Sequence, residues 1–151
     1  MTTGLIVVAA VLLASSVFAL WRKRTDGRVR EYDMAPSTRS DDARSGETEI
    51  LRAEQLGREL GRQATLVQFS TAFCQPCRAA KVVLASVAAS AEGVHHIEID
   101  AESHLDLVRE VGIMRTPTTL ILDAEGRITA RATGVPRKDQ VLAAIGRTLP
   151  A

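Results

Sequence analysis

Residues 4–21 read GLIVVAAVLLASSVFALW, eighteen consecutive positions without a charge, and no other stretch constrains the chain as strongly. At 1.5 Å per residue a helix of that length spans about 27 Å, close to the ~30 Å hydrocarbon core of a bilayer. Trp21, the only tryptophan, closes the run where an amphipathic ring suits the headgroup layer. A cleavable signal peptide needs a positive region before the apolar stretch; Met1, Thr2 and Thr3 offer no side-chain charge, whereas RKRTDGRVR follows with five basic residues and one acid. The expectation is therefore a retained anchor over 1–21. By the positive-inside rule the C-terminal end of the span faces the cytoplasm and the N-terminus lies outside. Membrane lipid around residues 4–21 is one expected partner.

Residues 22–47 carry seven basic and six acidic side chains and almost no large apolar ones, so they cannot bury a core and read as a flexible charged linker. That leaves 48–151 as the folding unit, with twelve basic and twelve acidic residues. The whole chain has a net charge of +1, which removes the basic excess that a nucleic-acid binder needs; no nucleic-acid partner is expected.

Within 48–151 the apolar pattern alternates in character. ATLVQFS (64–70), VHHIEI (94–99), TTLILD (118–123) and RITARAT (127–133) have the length and composition of strands. Residues 53–60, 75–92, 103–112 and the stretch after Pro136 read as helices, and 48–52 as a further edge strand. DAEG (123–126) is a turn in which Gly126 supplies the permissive backbone. The predicted order is βαβαβαββα, an α/β fold with a central mixed sheet flanked by helices.

Both cysteines lie in FCQPC, residues 73–77, at the junction of a strand and the longest helix. Cys74 at the helix N-terminus meets unpaired N–H groups and the positive end of the helix dipole, which favour the thiolate. Pro76 suits the first helical turn, where its missing N–H is no loss. Cys77, one turn further in, is more enclosed. The outer thiolate can attack a disulfide in another protein and the inner thiol can release the product. A zinc site is the competing reading for a CxxC pair, but no second CxxC exists, and His95 and His96, adjacent in a strand, point to opposite faces. Neither a metal nor any cofactor beyond the Cys74–Cys77 pair is expected.

FCQPC, followed by Thr116-Pro117-Thr118 just before a strand and by Gly134, resembles the thioredoxin family over about residues 48–151, and Asp100 also matches a common position there. The resemblance implies a thioredoxin-like fold behind the N-terminal transmembrane helix. It implies a cis bond before Pro117, a substrate-binding surface from Phe73, Thr116, Pro117 and Gly134, and supporting roles for Gln75 and Pro76. Expected partners are disulfide-containing proteins and an electron donor of the flavin-dependent thioredoxin-reductase type. The departures lie beside the cysteines. Gln75 and Phe73 replace a glycine and a tryptophan, Val82 replaces a helix-kinking proline, and Gln68 stands where familiar members carry a buried acid. An amide cannot take a proton. His96, where those members have lysine, is offered as a substitute that assists deprotonation of Cys77 directly or through a water; the alternative is that it merely packs on the sheet.

Three functional readings follow from these residues: a membrane-tethered oxidoreductase that reduces protein disulfides, a thioredoxin-fold assembly module with little redox turnover, and, with inverted topology, an extracytoplasmic disulfide oxidase or cytochrome-maturation factor.

Overall fold

The computed structural model describes residues 11–20, 29–31 and 49–148. Residues 11–20 are helical (α1) with their side chains exposed. The remaining elements are β1 (Val29–Glu31), α2 (Ala53–Leu56), β2 (Ala64–Ser70), α3 (Gln75–Ser90), β3 (Val94–Asp100), α4 (Leu105–Glu110), β4 (Thr118–Leu122), β5 (Ile128–Thr133) and α5 (Lys138–Thr148). Among the described residues no helix is long and apolar enough to cross a membrane. Of the proposed anchor, residues 1–10 and 21 lie outside the described residues.

The strands form one mixed sheet in the order β1-β5-β4-β2-β3. Only β2 and β3 run parallel; β2 with β4, β4 with β5 and β1 with β5 are antiparallel. The predicted order of elements holds from α2 onward, but its first strand is not 48–52. There Ile50 forms a single bridge to Arg127, while Leu51 turns into the core. The first strand is β1, inside the stretch read as a linker; the rest of 22–47 lies outside the described residues. Composition missed β1 because an edge strand gains its hydrogen bonds from the main chain, which any side chains permit.

Two helices are shorter than their patterns suggest. α2 stops at Gly57, whose φ of 64° leaves the helical region. α4 ends before Gly112, at φ 60°. The expected turn before β5 is present: Gly126 has φ 84° and donates its N–H to the Asp123 carbonyl at 3.1 Å. A Cβ at Gly126 would lie 2.2 Å from the Leu51 carbonyl oxygen, so glycine is required for close approach as well.

Alternation along each strand builds two cores, one per sheet face. Val67, Phe69, Ile97, Ile99, Leu120 and Leu122 pack with Leu51, Leu107 and Val111 on one side. Ala64, Leu66, Val94, Ile121 and Ala130 pack with Leu84 and Val87 of α3 and with Val141, Ala144 and Ile145 of α5 on the other. Gln68 and Ser70 belong to the second face, beneath the start of α3.

Candidate active site

β2 is buried at all seven positions and delivers the chain to α3 through residues 71–74. Cys74 is the N-cap of α3, with Gln75 and Pro76 in the first turn. Its backbone N–H donates to the Thr71 carbonyl at 3.3 Å, and its Sγ accepts the Cys77 N–H at 3.1 Å. The cysteines form a disulfide with Cα atoms 5.2 Å apart. Cys74 is half-buried, whereas Cys77 is only 3% exposed. The outer sulfur is thus the one a partner can reach, and it already sits in the N–H field of the helix start. Gln75 accepts a hydrogen bond from Arg78 on the outer surface.

The Thr116–Pro117 bond is cis, and its loop faces the CxxC turn: the Thr71 and Thr116 hydroxyl oxygens lie 3.4 Å apart. Pro117 is buried, and its carbonyl accepts the Gly134 N–H at 2.8 Å. Gly134 holds φ at 86°, which a side chain would strain. Thr118 Oγ1 donates to the Arg115 carbonyl at 2.8 Å, tightening the same loop. Phe73 is 100% exposed and Met114 is 92% exposed. Val82 is also exposed, and α3 runs unbroken through it.

Beneath α3 the structure places Gln68 fully buried, with its Nε2 donating to the Cys77 carbonyl at 2.9 Å and to Ser70 Oγ at 2.8 Å. His96 reaches Gln68, not the cysteines: its Nε2 lies 3.1 Å from Gln68 Oε1. His95 points the other way and bonds the Glu59 carbonyl through Nδ1 at 3.1 Å. Burial holds the His96 pKa below its ordinary value, aided by the Lys81 and Arg58 charges and opposed by Glu98. Burial pushes Glu98 upward, but hydrogen bonds from Lys81 and Ser70 outweigh it and leave its carboxyl below the usual range. Lys81 Nζ lies 2.7 Å from Glu98 Oε2.

Ser70, Glu98 and Arg131 are site residues that sequence reading passed over. Strand parity identifies the first two, since Ser70 is two positions from Gln68 and Glu98 two from His96. Arg131 carries no such signal. From β5 it donates to the carbonyls of Val111 at 2.7 Å and Gly112 at 3.0 Å, and so holds the end of α4 that leads into the Pro117 loop.

Among the described residues no group of three or more His, Cys, Asp or Glu side chains is gathered to hold a metal. A mixed sheet that carries two cysteines at the start of a helix, opposite a cis-proline loop, defines a thioredoxin-like fold with a cysteine pair able to cycle between dithiol and disulfide. The comparisons make the assignment specific: the Thioredoxin family model matches residues 47–147, and the chain belongs to that family. Thioredoxin domain-containing protein 2 of Homo sapiens is 31% identical over 71 residues, 47% of this chain and 13% of that protein. Its Mus musculus counterpart is 34% identical over 65 residues, again 13% of its length, so the matched part is a small share of these curated relatives. Among solved structures, thioredoxin NaTrxh from Nicotiana alata has a TM-score of 0.52 and 26% identity, covering 59% of this chain and 76% of its own. Chloroplastic thioredoxin z has a TM-score of 0.53 and 25% identity, covering 68% of this chain and 94% of its own.

Proposed function

We propose that the protein reduces disulfides in other proteins while tethered to a membrane. The observation that carries the chemistry is Cys74 Sγ accepting a backbone N–H at the start of α3, half-exposed beside the Pro117 loop. In the reduced protein the Cys74 thiolate attacks a substrate disulfide. The substrate S–S bond breaks, a Cys74–substrate bond forms, and the departing sulfur takes a proton. Cys77 then gives up its proton and attacks Cys74. The mixed disulfide breaks, the Cys74–Cys77 bond forms, and the second substrate sulfur leaves as a thiol, two electrons having passed to the substrate.

Among the described residues no hydrogen bond engages the Thr116 main chain, which leaves its N–H and C=O to pair with an extended substrate segment. Phe73 supplies exposed apolar surface at the outer cysteine, and Gly134 keeps the neighbouring loop low. Electrons would return from a flavin-dependent reductase of the thioredoxin-reductase type. The tether reading rests on the uncharged run 4–21, and the cytoplasmic placement of the domain on RKRTDGRVR after it. Gln68 in place of an acid favours a second reading, an assembly module with little turnover. Insulin reduction with a dithiol electron source separates the two: sustained turnover supports the oxidoreductase, and none supports the module. Labelling of Cys74 in intact reduced cells with a membrane-impermeant maleimide tests topology. Slow labelling is expected, and rapid labelling shifts the reading to extracytoplasmic oxidase or cytochrome-maturation chemistry.

A further inference from the structure

The hydrogen bonds of Gln68 fix which end of its amide faces the Cys77 main chain. The Cys77 carbonyl can only accept, so the Gln68 atom 2.9 Å from it is the NH2 group. The other end is then an oxygen, which also only accepts, so His96 Nε2 at 3.1 Å must carry a hydrogen and donate it. Ser70 closes the arrangement. Its hydroxyl oxygen takes the second amide hydrogen at 2.8 Å. Both amide hydrogens and the amide oxygen are thereby engaged.

A different arrangement is within reach of the same side chain. Thr119 is the register partner of Gln68 on β4, and its buried Oγ1 has no hydrogen-bond partner among the described residues. Without a donor at His96 the Gln68 oxygen is left buried and unpaired, which is costly, and the Thr119 hydroxyl is the donor it can turn to.

We propose that His96, with Ser70 bracing the other end, is a positioning residue that locks Gln68 with its N–H edge against the Cys77 main chain, and that this orientation favours the Cys77 thiolate in the resolving step. The proposal deepens the oxidoreductase reading and rests on it. Cys77 is almost completely buried, so its charged form is disfavoured by desolvation. An amide dipole fixed with its N–H end at the Cys77 main chain works against that penalty, whereas a carboxylate there would add a like charge. The lock is also independent of the protonation of His96, because the neutral ring bonded as here and the imidazolium both carry a hydrogen on Nε2. The charges acting on His96 are Glu98 of its own strand, Lys81 of α3 and Arg58 from the segment after α2. His96 therefore orients the amide without taking the Cys77 proton, which ends on the departing substrate sulfur.

The test follows two releases of thionitrobenzoate when the full-length reduced protein meets dithiobis(nitrobenzoate), the first on attack by Cys74 and the second on attack by Cys77. In His96→Leu the second release should slow about tenfold at pH 7 and its pH midpoint rise by about one unit, while the first stays within about twofold of wild type. His96→Gln, whose NH2 can donate to the Gln68 oxygen, should recover most of the loss. Gln68→Leu should show the same slowing alone, and adding His96→Leu to it should change nothing further. A wild-type second release in His96→Leu or Gln68→Leu overturns the proposal. So does an additive loss in the double variant, which would make the imidazole the base itself. Absence of the first release from the wild type strikes at the oxidoreductase reading and takes this one with it.

Discussion

The two faces of the sheet are built to different rules. On the face covered by residue 51 and α4, the strands present Phe69, Ile97, Ile99, Leu120 and Leu122, large side chains packed together, with the buried hydroxyls of Thr65 and Thr118 tied to neighbouring main chain. On the face under α3 and α5 they present Ala64, Leu66, Ile121 and Ala130, and towards the active-site end Gln68, Ser70 and Thr119, all buried. Adjacent residues of one strand, Gln68 and Phe69, thus serve opposite ends. The difference teaches that the stabilising core and the polar cluster under the cysteines are separated by only the thickness of a strand. One face can be tuned while the other holds the fold together.

The sharpest break in this division is at the cysteines. Cys74→Ser should abolish disulfide exchange with the fold intact, since the residue is half-buried and outside both cores. Cys77→Ser should attack without releasing, and accumulate mixed disulfides that a thiol-blocked gel resolves. Trapping by Cys74→Ser instead would reverse the two roles.

Next in size are substitutions at the two neighbours. Phe69→Ala should cost about 3–5 kcal/mol of unfolding free energy, and Gln68→Leu about 1–2 kcal/mol, the loss of a paired buried amide offset by apolar packing. Urea unfolding of the oxidised proteins measures both. Equal losses would mean that the polar face is as much a part of the stabilising core as the apolar one.

The smallest effect concerns pH. The folded-state pKa of His96 lies below its ordinary 6.5, so the unfolded chain binds that proton first as pH falls. The stability contributed by the neutral ring is complete above about pH 6.5 and is lost as pH falls through that value towards the folded pKa. Wild type should therefore lose more stability than His96→Gln between pH 7.5 and 5.5. Glu98, also held low, acts in a lower window: its contribution is present above about 4.5 and lost as pH falls further. Parallel curves for wild type and His96→Gln would place His96 in solvent rather than against Gln68.

Much of this was legible from residues alone, and for identifiable reasons. β2, β3, β4 and β5 follow from short β-branched runs, and Cys74 at the start of α3 follows from a strand giving way to a helix across FCQPC. Opposite orientations for His95 and His96 follow from strand alternation. What escaped depended on partners distant in sequence. β1 exists because β5 offers it an edge, and α2 ends where Gly57 adopts a positive φ that its apolar spacing does not announce. The direction of the Gln68 amide is set by three groups from β2, α3 and β3 at once. For His96 the sequence left two readings open, assistance to Cys77 and packing on the sheet, and its place in β3 brings it to the Gln68 amide.

The pairing of β1 has a practical consequence for anyone isolating the folded unit. Val29, Arg30 and Glu31 cover the outer side of β5 at Ala132, Arg131 and Ala130. An uncovered strand edge is a template for another copy of itself. A fragment that begins at residue 48, where the composition changes, strips that cover and leaves the ITARAT edge open. Such a fragment should self-associate as its concentration rises in sedimentation velocity, while one that begins ahead of Val29 stays monodisperse. The natural boundary of the folded unit lies upstream of the point at which the sequence starts to look globular.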